Sequence, residues 1–226
     1  MHRKRRRNWI WIPVLATVVA LAAGAWRLRP LVLGTSSAPA RGHSGAEFGI
    51  AAYVSSCDAD GDGVEDQTDI LQSARAYLAT EPAYASRYYA GGYPDDGCGV
   101  CTDVVAFALR GAGYDLMALV AADVAAAPEA YAIATPDANI DFRRVANLRV
   151  WFARNAESLT TDAAEIAQWQ GGDVVIFENH IGIVSDQRNR NGVPYVLHHS
   201  GRLQIAYEED ILPERDDLVG HYRLTP

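Results

Sequence analysis

Cysteine is scarce in this chain. Three in 226 residues is an odd number and too few for a disulfide-held scaffold. A second CxxC is missing, as is any HxxxH pair, so nothing in the spacing fixes a zinc geometry. Acid is absent from residues 1–30, which hold seven of the 20 Lys and Arg side chains. The chain after Pro30 therefore carries 13 basic against 28 acidic side chains, a net −15 inside an overall −8. Lacking a basic face, that body is not a general nucleic-acid binder, which must displace phosphate counterions. What is present is a globular composition, 49% hydrophobic and 21% charged, which excludes wholesale disorder. Beyond the N-terminal segment about 180 residues remain, enough for one core.

The run from Trp9 to Trp26 contains no charged residue. Eighteen helical residues at ~1.5 Å each span roughly 27 Å, close to the hydrocarbon thickness of a bilayer. Five basic residues precede the run and two follow it, which puts the N-terminus in the cytoplasm and the body outside. Residues 1–29 are thus expected to be a basic segment and a transmembrane anchor. Ala23-Gly24-Ala25 also offers a signal-peptide cleavage pattern, and the alternative is secretion after cleavage. Either way the body is exported. Residues 30–47, small and rich in Pro and Gly, read as a flexible linker before a domain over 48–226.

Residues 58–69 place Asp58, Asp60, Asp62, Asp66 and Asp69 at positions one, three, five, nine and twelve of a loop. Gly63 stands at position six, where the chain must turn, and Val64 offers its carbonyl at seven. Calcium takes six to eight oxygens, and this spacing wraps oxygens around one point. Six carboxylates in twelve residues repel, and a structural Ca²⁺ is the expected remedy. The loop resembles those of dockerin and thrombospondin type-3 repeats. It departs from an EF-hand in having Asp69 for the bidentate Glu and Glu65 for the apolar residue at eight. The plainer reading is a solvated turn whose Asp69 caps a helix over 70–80. No organic cofactor is expected.

Cys101 stands where a Gly-rich loop (Gly97-Cys98-Gly99) gives way to an apolar, helix-like run. A helix N-terminus favours an anion, which predicts a lowered thiol pKa and N–H groups ready to receive an oxyanion. Downstream, residues 170–177 read as a turn and a strand, and 179–186 as a strand opening on His180. Residues 195–199 read as a third strand ending in His198 and His199, and the three form an antiparallel meander. Helix-borne cysteine, then histidine on one strand and a polar residue on the next, is the order of a papain-like site.

The motifs resemble those of NlpC-type cell-wall cysteine peptidases and amidases and, more closely, a bacterial branch designated domain-of-unknown-function family 1287. The residues that carry the likeness are Gly92-Tyr93-Pro94, Gly99-Val100-Cys101-Thr102-Asp103 and the segment 136–145. They continue through Gly172-Asp173, the segment 180–186 and Gly220-His221-Tyr222-Arg223. The resemblance covers roughly residues 70–226, with Phe142 where the branch is expected to have His. It implies an α+β fold with a papain-like core, a nucleophile-bearing helix packed on an antiparallel sheet. It also implies an amide hydrolase, with peptidoglycan stem peptides the expected substrate. Carried over by position, Cys101 is the nucleophile, His180 the general base and His198 the orienting third residue. His199 is the alternative, since neighbouring strand residues face opposite ways.

Asp103 lies roughly 200° round a helix from Cys101 and is expected to act indirectly. Asn139, Asp141, Arg143 and Arg144 are expected to cap a helix and form ion pairs, with lining the cleft as the alternative, and His221 to be structural. Two rivals use the same residues. Cys98-Gly99-Val100-Cys101 is a CxxC, as in thioredoxin-like proteins, and zinc could take Cys98, Cys101, His180 and His198 or His199. Cys98 is also a candidate partner for Cys57. A different class of function, a non-catalytic wall- or peptide-binding module with a structural calcium, fits the same fold.

Overall fold

The computed structural model describes residues 42–225, so the expected membrane span over Trp9–Trp26 lies outside the described residues. Among those described, no single helix is long and apolar enough to cross a membrane. The fold is α+β. In chain order come β1 (His43–Ser44), α1 (Asp66–Leu78), β2 (Ala83–Tyr84), β3 (Cys98–Gly99), α2 (Cys101–Gly111) and α3 (Leu116–Ala126). They are followed by α4 (Ala138–Asp141), α5 (Val145–Asn155), β4 (Glu157–Ser158), β5 (Val174–Phe177) and β6 (His180–Arg188). β7 (Pro194–Leu197), β8 (Glu208–Glu209) and β9 (Leu218–Arg223) close the chain.

The main sheet is antiparallel in the order β4-β9-β5-β6-β7-β8, and β1 joins the far end of β6. The expected meander β5-β6-β7 is present. Its extension is not a periodicity signal: β9, the last strand in sequence, returns to pair with β5. The linker expected over 30–47 ends sooner, because His43 and Ser44 pair with Arg188 and Gln187 and a 3₁₀ turn follows at Gly45–Phe48.

Strand alternation divides the sheet. Val174, Ile176, Ile181, Ile183, Leu197 and Tyr222 join the helical core, whereas Val175, Phe177, Val184 and Val196 pack with Trp169, Ile211 and Leu212. Helix α2 is apolar almost all round, with Val104, Val105, Ala106, Ala108 and Leu109 fully buried. A helix of that kind belongs at the centre, and α2 packs between α1 and β6. One buried carboxylate, Asp173, ties the elements together. It accepts from Arg223 Nε (2.7 Å) and from Gln67 Nε2 of α1 (2.7 Å), and it meets His221 Nε2 at 2.9 Å. His221 also stacks on Trp169 at 3.8 Å, the structural role expected of it.

Candidate active site

The two-residue parallel pair β2–β3 delivers the chain to α2, whose first residue is Cys101. Val100 is the extended N-cap, and its N–H is taken by Asp103 Oδ2 at 2.8 Å. The backbone N–H groups of Ile181, Thr102 and Cys101 itself come near enough to the Cys101 sulfur to favour its thiolate. Helix α2 packs on β6, the strand that opens on His180. The expected lowering of the thiol pKa is reversed. Burial pushes Cys101 up to about 11, and the three N–H groups only partly oppose it. The helix terminus is where the sequence put it, but the desolvation that outweighs it is a tertiary effect.

His180 Nε2 lies 2.9 Å from His198 Nδ1, with the rings at 87° and their centroids 5.0 Å apart. With Nε2 engaged, the nitrogen left for a thiol is Nδ1. Gly182 makes the approach possible: a Cβ there would stand 2.8 Å from the Leu197 carbonyl and 3.3 Å from His198 Cβ. Between His198 and His199 the choice is geometric. His199 turns the other way, edge-on to Tyr84 and Tyr207, with its Nδ1 buried and without a hydrogen-bond partner. Burial holds His180 well below its usual range, helped by His198 and Arg215 and opposed by Asp217. His180 is therefore neutral at physiological pH, the state a general base requires.

A residue that the sequence reading missed completes the line. Glu209, fully buried in β8, brings Oε2 to 3.0 Å from His198 Nε2. Burial pushes His198 down to about 3 and Glu209 up to about 7, so the contact is a hydrogen bond and not an ion pair. Gln204 Nε2 donates to Glu209 Oε2 and to the His198 carbonyl, both at 3.1 Å. Only the alternation of Glu208 and Glu209 hints at this, since Glu208 turns to Arg75 and Ser185 instead.

The polar residues near α2 act as supports. Asp103 holds Arg143 through bonds of 2.6 and 2.9 Å, and Arg143 also donates to the Arg87 carbonyl at 2.6 Å. Asp141 accepts from the Asp137 N–H at 2.7 Å, and Asn139 donates to Tyr88 Oη at 3.2 Å. Phe142 is fully buried against Tyr93.

In the acidic loop, carboxylate oxygens of Asp58, Asp60 and Asp62 lie within 4.8 Å of one another, and Gly61 and Gly63 supply the positive-φ turns. Asp69 is buried close by, its pKa raised by burial and then by Asp62, Asp60 and Asp58. Two expectations change. Helix α1 starts at Asp66, capped by Glu65 through Gln67 and Thr68 N–H, so Asp69 lies inside it. Asp66 is turned to the Ala59 N–H and the Tyr114 hydroxyl, which separates it from the three loop carboxylates. Among the described residues, those three are the one group of His, Cys, Asp or Glu whose ligand atoms converge closely enough to share an ion; Cys98, Cys101, His180 and His198 do not converge as a zinc site. All three cysteines are free thiols, and the antiparallel main sheet is not that of a thioredoxin.

The sequence profile of a domain of unknown function, DUF1287, matches residues 71–224. The uncharacterised protein YijF of Escherichia coli (strain K12) is 40% identical over 161 residues, which cover 67% of this chain and 77% of YijF. No solved structure matches.

Proposed function

The chain belongs to the DUF1287 family, and from that premise and its own site we propose an exported cysteine amidohydrolase or peptidase acting on peptidoglycan stem peptides. The observation that carries this reading is the 2.9 Å bond from His180 Nε2 to His198 Nδ1, with His180 on the strand that packs against the helix opening on Cys101. The order of these groups, and the likeness of their motifs to NlpC-type enzymes, support a papain-like arrangement. Cys101 gives its proton to His180 as sulfur attacks the amide carbonyl carbon, and N–H groups at the start of α2 receive the oxyanion. The C–N bond then breaks as His180 returns the proton to the leaving amine. Water, deprotonated by the same imidazole, hydrolyses the thioester and restores the thiol.

A second reading is favoured by one observation, the burial that pushes the thiol up to about 11. It is a non-catalytic module that binds wall peptides. The test is digestion of purified peptidoglycan by the full chain, with products identified by mass spectrometry. New amine and carboxyl ends that vanish in Cys101→Ala and His180→Ala support the hydrolase. Intact peptidoglycan that still binds the chain supports the module.

Residues 1–29 are proposed to anchor the domain with its body extracytoplasmic, or to be cleaved after export. The Asp58, Asp60 and Asp62 carboxylates, with Asp69 beside them, are proposed to hold a structural Ca²⁺.

A further inference from the structure

A neutral imidazole has one N–H and one lone pair, so each hydrogen bond it makes decides what its other nitrogen can do. Two hydrogen bonds link three groups here in a row: Glu209 Oε2 to His198 Nε2 at 3.0 Å, and His198 Nδ1 to His180 Nε2 at 2.9 Å. Both rings are buried, which shields the two contacts from bulk solvent. We propose that Glu209 is a positioning residue whose protonation state sets the tautomers of both histidines at once. As a carboxylate it accepts the His198 Nε2 proton. His198 Nδ1 must then accept from His180 Nε2, and His180 Nδ1 is left as a free base. As a carboxylic acid it donates to His198 Nε2, every bond in the row reverses, and the proton on His180 moves to Nδ1, where it blocks proton abstraction from Cys101. Nothing is gained or lost within the row except the one proton that Glu209 exchanges with solvent.

The surroundings suit such a switch. Glu209 Oε2 is met by His198 and Gln204, while its Oε1 is buried without a hydrogen-bond partner. The other charged or titratable groups nearby are Glu214, which feels Glu209, Arg215 and His199, which both act on His198 and His180, and Asp217, which acts on His180. Burial pushes the Glu209 carboxyl up to about 7, so the exchange falls in an accessible range. The consequence for activity rests on the hydrolase reading above, but the tautomer switch does not.

The experiment is a pH titration of the full chain labelled with ¹⁵N-histidine, reading the tautomers of His180 and His198 by long-range ¹H–¹⁵N correlation. Both rings are expected to be Nε2–H at pH 8.5 and Nδ1–H at pH 5, changing together at one midpoint. Glu209→Gln should abolish that midpoint, and in the peptidoglycan assay it should remove the acid limb of the pH profile that Glu209 causes. Rings that keep one tautomer throughout, that change separately, or that keep the wild-type midpoint in Glu209→Gln overturn the proposal. The wild-type titration decides the matter even if the variant does not fold. A joint switch without Cys101-dependent cleavage would sink the hydrolase reading alone. Cleavage with fixed tautomers would sink the switch alone.

Discussion

Asp103 and Arg143 face each other inside the protein, their side chains 0% and 2% exposed, and close two hydrogen bonds of 2.6 and 2.9 Å. Removing one partner strands the other charge away from water, a loss of about 3–5 kcal/mol. Asp103→Ala also frees the Val100 N–H that begins α2. Both Asp103→Ala and Arg143→Met should lower the urea midpoint sharply. An Asp103→Leu, Arg143→Met pair should recover part of the loss, because no lone charge remains. Equal midpoints for wild type and single variants would contradict the burial argument.

The two adjacent histidines should separate cleanly. His198 orients His180, so His198→Ala should cut peptidoglycan turnover by about 10²–10⁴-fold, the range for losing an orienting or acid–base partner. His199 packs on Tyr84 and Tyr207, and His199→Phe should retain activity and thermal stability. A reversed pattern would move the third site residue to His199.

Acid should destabilise the fold through the buried imidazoles. His180 and His198 have folded pKa values held below the usual 6.5 by burial, so the unfolded chain binds more protons once pH drops below about 6.5. Stability present above that pH is lost as pH falls toward the folded values. Glu209 has the opposite sign: raised from 4.5 to about 7, its contribution is present below pH 4.5 and lost as pH rises through about 7. Two histidines outweigh one glutamate. Urea midpoints should therefore fall between pH 6.5 and 4.5, and fall more steeply in Glu209→Gln.

Calcium should raise the melting temperature of the wild-type chain. The paired change Asp60→Ala with Asp62→Ala removes two of the three converging carboxylates and should abolish that rise. No shift in the wild type would leave the loop a solvated turn.

Local chemistry explains what could be read in advance. The helix start at Cys101 and the strand opening on His180 follow from a Gly-rich loop and apolar runs. Strand alternation requires that His198 and His199 face opposite ways without saying which meets His180. The third strand stops at Leu197, short of the two histidines that the sequence reading includes in it. Each of those signals spans fewer than a dozen residues. What escaped depends on distant chain segments. Glu209 sits in a two-residue strand with no periodicity, and only the folded sheet brings it to His198. A helix terminus and a nearby histidine predict a lowered Cys101 thiol pKa, whereas burial decides its direction. Glu65 displaced Asp69 as the cap of α1 because its carboxylate also satisfies the Ser55 N–H at 2.7 Å, a contact outside the loop.

Strand β6 begins with His180 and ends with Arg188, and it is at Arg188 that His43 pairs. Eight residue steps at ~3.3 Å make that separation roughly 26 Å. A body held through the chain before His43 is gripped at one end of its longest strand and presents the thiol at the other. An anchor before His43, as proposed, would set a stand-off: the candidate site would sit at arm's length from its point of attachment, and the length of that arm would be the length of β6.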